Sequence, residues 1–242
     1  MKVTFVPVVI GAAALAACGG GESGSMTQGS TTRAAMTEPA ASTAAGETSC
    51  PAGLTMVSGQ ANIFGAGSDF APAPGGGGGG AMPPSVQLPG GVSVVTFPTV
   101  KGKVTARMGS LPYKGPGGDG KGETDITSYG GISGIVDRRH GQFLVGVFLT
   151  DDPPANFAPR RLDFTKHERF RTLAPRVGQT FFVGDGRDRT FRVPPGATRL
   201  FLGFADAFSL GESATEGDYQ GRPGYYDNNG GHLCVSVNMA EQ

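Results

Sequence analysis

The chain has 242 residues, with 20 basic and 20 acidic side chains, and so carries no formal net charge. That balance excludes the broad basic field by which a protein engages nucleic acid. The 42 glycines and 18 prolines interrupt every long helical period and favour short strands joined by turns.

Met1 and Lys2 form a short positive start, and Val3 to Ala17 is an apolar run too short to span a bilayer comfortably. This fits a secretory signal peptide over residues 1–17. The sequence Leu15-Ala16-Ala17-Cys18-Gly19 resembles the bacterial lipobox, in which the cysteine becomes the lipidated first residue. An ordinary signal sequence with a chance cysteine is the alternative. Lipidation at Cys18 implies an exported, membrane-anchored protein on the periplasmic face or the cell surface. Residues 18–49 hold the lipidated cysteine and a Gly-, Ser-, Thr- and Ala-rich tether, which buries too little apolar surface to offset its ordering entropy. The folded domain is expected over residues 50–242 and suits a single all-β unit.

Strands are expected at Thr55–Ile63, Gly91–Phe97, Lys101–Met108, Ile132–Val136, Gln142–Leu149, Thr180–Val183, Thr190–Val193, Arg199–Phe204 and His232–Asn238. Leu200, Leu202 and Phe204 alternate onto one face. Phe143 to Leu149 is apolar on both faces, as a central strand of a packed sheet requires. Together these suggest a β-sandwich. The run Gly75–Gly80 reads as a mobile loop, since no Lys-Ser/Thr pair or helix follows to make a phosphate cradle. Asp137-Arg138-Arg139-His140 and Arg160-Arg161 read as solvated turns, and Asp185-Gly186-Arg187-Asp188 as a polar hairpin turn or half of a calcium loop.

With Cys18 lipidated, Cys50 and Cys234 remain. An even pair in an oxidising compartment favours a disulfide, with two unpaired thiols as the alternative. Zinc ligand spacing is not visible in two distant cysteines and scattered histidines. His140, His167 and His232 lie far apart in sequence, and no nucleophile elbow is present, so catalysis is not expected.

Pro223-Gly-Tyr225-Tyr226-Asp227-Asn228-Asn229-Gly-Gly231 is the densest group of short oxygen-bearing side chains, set before the apolar strand His232–Val237. Hard cations such as calcium take six to eight oxygens from carboxylates, amides and carbonyls. A turn held by its own side chains explains the same composition.

Arg199-Leu-Phe-Leu-Gly-Phe-Ala-Asp206, this turn, and Gly115-Pro116-Gly117-Gly118-Asp119 together resemble the calcium-dependent galactophilic lectins of bacteria, and lectin-like relatives in exported proteins. The resemblance implies a galactose-binding-like β-sandwich. It implies a calcium ion held by Asp206, Asn228 and Asn229 through side chains and by Tyr225 through its carbonyl, with Tyr113 nearest to the position of a further carbonyl. It also implies a carbohydrate partner, galactose-type in the lectins themselves, over Asp206, Tyr225, Asn228 and Asp119. Tyr225, Tyr226 and Tyr219 are the candidate rings to pack on a sugar. Two departures stand out. Ala207–Arg222 is an insertion containing Glu212, Glu216 and Asp218, and the His and Gln that touch sugar in the lectin are missing after Asp119. Asp227 replaces a glycine of the lectin and is read either as an added carboxylate or as a solvent-facing side chain.

Overall fold

A computed structural model describes residues 49–207 and 221–241. The signal segment, Cys18 and the tether up to residue 48 lie outside the described residues, as do Glu212, Glu216, Asp218 and Tyr219.

The described chain is an all-β sandwich. Its strands are β1 (Thr55–Ser58), β2 (Ser85–Gln87), β3 (Val94–Thr96), β4 (Val100–Thr105), β5 (Thr124–Ile126), β6 (Ile135–Asp137) and β7 (Val145–Leu149), followed by β8 (Leu162–Asp163), β9 (Thr172–Leu173), β10 (Phe181–Phe182), β11 (Thr190–Arg192), β12 (Arg199–Gly203), β13 (Gly230–Val235) and β14 (Asn238–Ala240). They form sheets of order β1-β13-β4, β10-β7-β12-β2, β14-β3-β11-β9 and β5-β6-β8.

Phenylalanine fills the space between the sheets. Phe148 of β7 stacks on Phe181 of β10 with ring centroids 5.2 Å apart, and Phe181 meets Phe191 of β11 at 4.9 Å. Phe191 continues edge-on to Phe97 at 5.3 Å. This line of rings joins the β7 sheet to the β11 sheet, each pair adding to the burial of its area. Strand β7 is buried along its whole length because β10 and β12 flank it in the plane of the sheet and packing covers both faces. The expectation of a central strand at Phe143–Leu149 is met.

Every segment expected to be extended overlaps a strand. The strands not foreseen are β2, β5, β8, β9 and β14, and each of them lies at the edge of its sheet. Two or three residues show no period, and an edge strand is defined by the neighbour it finds.

Two features hold the sheet that carries the C-terminal turn. Strand β13 lies between β1 and β4, pairing Cys234 with Met56 on one side and Lys101 on the other. Cys50 and Cys234 form a disulfide across a sequence separation of 184 residues. Leu233 and Val235 point into the core while Cys234 is half-buried on the opposite face, as the alternation of a strand requires. A cross-link of that span removes much of the freedom of the unfolded chain. The variant Cys50→Ser/Cys234→Ser should lose about 2–5 kcal/mol of stability. Denaturant unfolding of oxidised wild type, reduced wild type and variant checks this, and the last two should coincide.

Candidate functional site

Strand β12 runs out at Gly203, and the chain continues through Phe204 and Ala205 to Asp206, buried at 2 % exposure. Phe204 is held against Asn62 by Ile63 N donating to Phe204 O at 3.1 Å and Phe204 N donating to Ala61 O at 2.8 Å. The start of β13 approaches the same place through a short 3₁₀ turn, Tyr226–Asn228. The two ends are joined by Tyr226, which is fully buried. Its hydroxyl accepts from Asp206 N at 2.9 Å and donates to Phe204 O at 3.1 Å. Tyr226 therefore has no ring face for a sugar, and its expected place in a carbohydrate site is corrected. Its burial fastens the turn to the end of β12.

Asp206 and Asn229 come together here, with Asn228 next to Asn229 in the chain. Asp206 Oδ1 accepts from Ala207 N at 2.8 Å, and Asn229 Nδ2 donates to Gly59 O at 3.1 Å. The remaining oxygens, Asp206 Oδ2, Asn228 Oδ1 and Asn229 Oδ1, are buried with no hydrogen-bond partner. A buried acceptor without a donor costs about 1–3 kcal/mol, more when charged. Three of them, all oxygens, on three neighbouring side chains, have the donor chemistry of a hard-cation site. Burial pushes the Asp206 carboxyl up to about 7 from an ordinary 3.8, with the Asn229 side chain and the Ala207 N–H opposing it.

Tyr225 stands at φ 65°, in the left-handed region a non-glycine residue seldom adopts. Its N–H donates to Gly76 O at 2.9 Å, and Tyr226 N donates to Gly78 O at 3.2 Å. The glycine run expected to be a mobile loop is instead a strap across the turn. Gly77 and Gly78 have φ of 67° and 88°. A Cβ at Gly77 would enter the Tyr225 ring, and one at Gly78 would strike the Asp227 carboxylate. Asp227 Oδ1 accepts from Gly80 N at 2.9 Å, so this exposed carboxylate serves the strap.

Sequence reasoning missed the supporting residues. Gln60 Nε2 donates to Asp227 O at 3.0 Å and Asn229 O at 3.2 Å, holding the turn from the β1 side. Buried Asn62 donates to Pro72 O at 2.7 Å and Gly79 O at 3.0 Å, holding the strap. An isolated Gln or Asn gives no pattern that would reveal this, although a run of six glycines is a signal of close backbone approach.

Tyr113 lies near the site through its side chain: a Cβ at Gly230 would sit 2.8 Å from Tyr113 Oη. Asp119 is not joined to the group. Its carboxylate accepts from Lys121 N at 3.1 Å and pairs with Lys114 at 3.6 Å. Among the described residues it shares no hydrogen bond or ion pair with Asp206, Asn228 or Asn229. The turn at Asp137 also differs from expectation: Asp137 is fully buried, not solvated.

The raised Asp206 carboxyl binds a proton more tightly in the folded than in the unfolded chain. In chelator, its contribution to stability is full below about pH 4 and is lost as pH rises towards about 7. The shift corresponds to a loss of the order of 4 kcal/mol at most. Melting of wild type and Asp206→Asn in chelator from pH 4.5 to 8 should show wild type losing ground to the variant as pH rises, with no further change above about pH 8. A constant difference would contradict the burial of that charge. A second expectation concerns the strap: Gly77→Ala should destabilise the domain by at least 1–3 kcal/mol, from positive φ together with the clash on Tyr225.

No protein-family model matches the chain, and no curated protein matches it.

Proposed function

We propose that this chain is a membrane-anchored lipoprotein whose β-sandwich binds carbohydrate through a calcium ion. The observation that carries the reading is the set of buried, donorless oxygens Asp206 Oδ2, Asn228 Oδ1 and Asn229 Oδ1. These are the side chains that the lectin resemblance assigns to calcium. Tyr225 would add its carbonyl, as the resemblance implies. Bound calcium offers coordination positions that a vicinal diol of a sugar can take over from water. Net affinity is modest because each hydroxyl gives up good bonds to water. The half-buried Tyr225, braced on the glycine strap, is the ring that the resemblance would set against the apolar face of a sugar.

A second reading is a non-catalytic structural or protein-interaction sandwich in which the ion only pins β12 to β13. The near-complete burial of Asp206 and Asn229 favours it, since neither side chain faces outward.

Calcium at about 100 times its Kd should stabilise the full chain by about 2.7 kcal/mol. Asp206→Ala and Asn228→Ala should each abolish that gain, and a gain retained in both would remove the site assignment. A glycan array probed in calcium and in chelator then separates the two readings. A calcium-dependent signal supports carbohydrate binding. A calcium-dependent melting shift without any glycan signal supports the structural role.

A further inference from the structure

A second cluster of donorless atoms lies on the β5-β6-β8 sheet. Asp137 ends β6 and is fully buried, with Oδ1 accepting from Arg139 N at 3.0 Å. Its Oδ2 has no hydrogen-bond partner and lies 3.4 Å from His140 Nδ1. Glu168, in the turn after β8, brings Oε1 to 2.7 Å from the same Nδ1, within ion-pair reach. The three ligand atoms lie within 4.8 Å of one another.

Two of the neighbouring cations are committed elsewhere. Arg138 pairs with Glu123 at 3.0 Å and Asp125 at 2.7 Å. Arg189 binds Asp185 at 2.8 Å and lies over the Phe170 and Phe182 rings, touching Glu168 only at its backbone carbonyl. Two carboxylates are thus crowded in a partly desolvated place with one imidazole between them. Such a group is costly unless a cation joins it.

We propose that Asp137 Oδ2, His140 Nδ1 and Glu168 Oε1 form a binding site for a zinc-class divalent ion, with a fourth position open to the adjoining pocket. One nitrogen and two carboxylate oxygens suit a borderline ion such as zinc better than calcium, which takes six to eight oxygens. Tetrahedral ligands at about 2.0–2.2 Å from zinc are about 3.3–3.5 Å apart. The His140–Asp137 separation of 3.4 Å meets this, and the 2.7 Å to Glu168 would have to widen by several tenths of an ångström on binding. The pocket has a volume of about 610 Å³, and His140 and Glu168 line it together with Lys101, Asp185, Arg187 and Arg189. Three protein ligands and one open position are the arrangement in which zinc holds water or an anionic ligand. Backbone bonds steady each ligand: Arg139 N on Asp137, Thr124 Oγ1 on His140 O at 2.8 Å, and Arg189 on Glu168 O. The site shares no residue with the Asp206 turn and does not depend on its reading.

The test uses the full chain, stripped by chelator and titrated with cobalt(II) in excess calcium. One equivalent of cobalt should bind with the visible absorption of a four- or five-coordinate ion, and zinc should displace it. His140→Ala and Glu168→Gln should each weaken uptake at least tenfold, while Asp206→Asn leaves it unchanged. No uptake by wild type, or uptake undiminished in the two variants, overturns the proposal. Circular dichroism checks each variant, and Glu168→Gln, a partly buried position of unchanged shape, keeps the test readable should His140→Ala misfold.

Discussion

The candidate site depends on a contact between two stretches of backbone. The strap at residues 75–80 lies against the turn at residues 223–229, with Gly75 N, Tyr225 N and Tyr226 N each bonded across the gap at 2.8, 2.9 and 3.2 Å. The approach is possible because the strap has no side chains to hold it off. In the same turn Asn228 Oδ1 and Asn229 Oδ1 are buried, and so is Asp206 Oδ2 at the end of β12. The cost of that desolvation gives a bound cation something to offset.

Tyr226 does the complementary work from below. Its hydroxyl bridges Asp206 N and Phe204 O, tying the end of β12 to the start of β13. Tyr225 is forced into a left-handed conformation directly above this lock. Strained backbone of this kind persists only where its surroundings over-determine it, and here the strap, Gln60 and Tyr226 do so. Local geometry that departs from the easy choice, next to acceptors with no donors, distinguishes this turn from an ordinary hairpin connection.

The two donorless clusters differ in the ion each would select. Asp206 with Asn228 and Asn229 offers only oxygens, and only one of them is formally charged. Asp137, His140 and Glu168 offer an imidazole nitrogen and two carboxylates beside an open pocket. Hard ions favour the first set and borderline ions the second. One sandwich thus presents two chemically distinct sets of donor atoms built on separate sheets.

The alternation of Leu200, Leu202 and Phe204, the doubly apolar run at Phe143–Leu149 and the spacing of glycines and prolines were enough to read an all-β sandwich and most of its inner strands. The strands that were legible, the edge strands β1, β4 and β10 among them, lie in longer apolar or alternating runs; the edge strands β2, β5, β8, β9 and β14 are two or three residues long and show no period. The Asp and Asn residues of the turn were legible as a group because they are adjacent in sequence. Their support was not: Gln60, Asn62 and the glycine strap lie some 150 residues away along the chain, and Tyr226 looks the same in sequence whether it faces a sugar or the core. Asp137 and His140 were hidden in a basic, polar run that reads as a solvated turn, and Glu168 lies in a separate segment with no pattern to link it to them. Composition and periodicity determine which residues must be buried; which polar atoms are left without a partner is decided only when distant segments meet, because it depends on what each meets there.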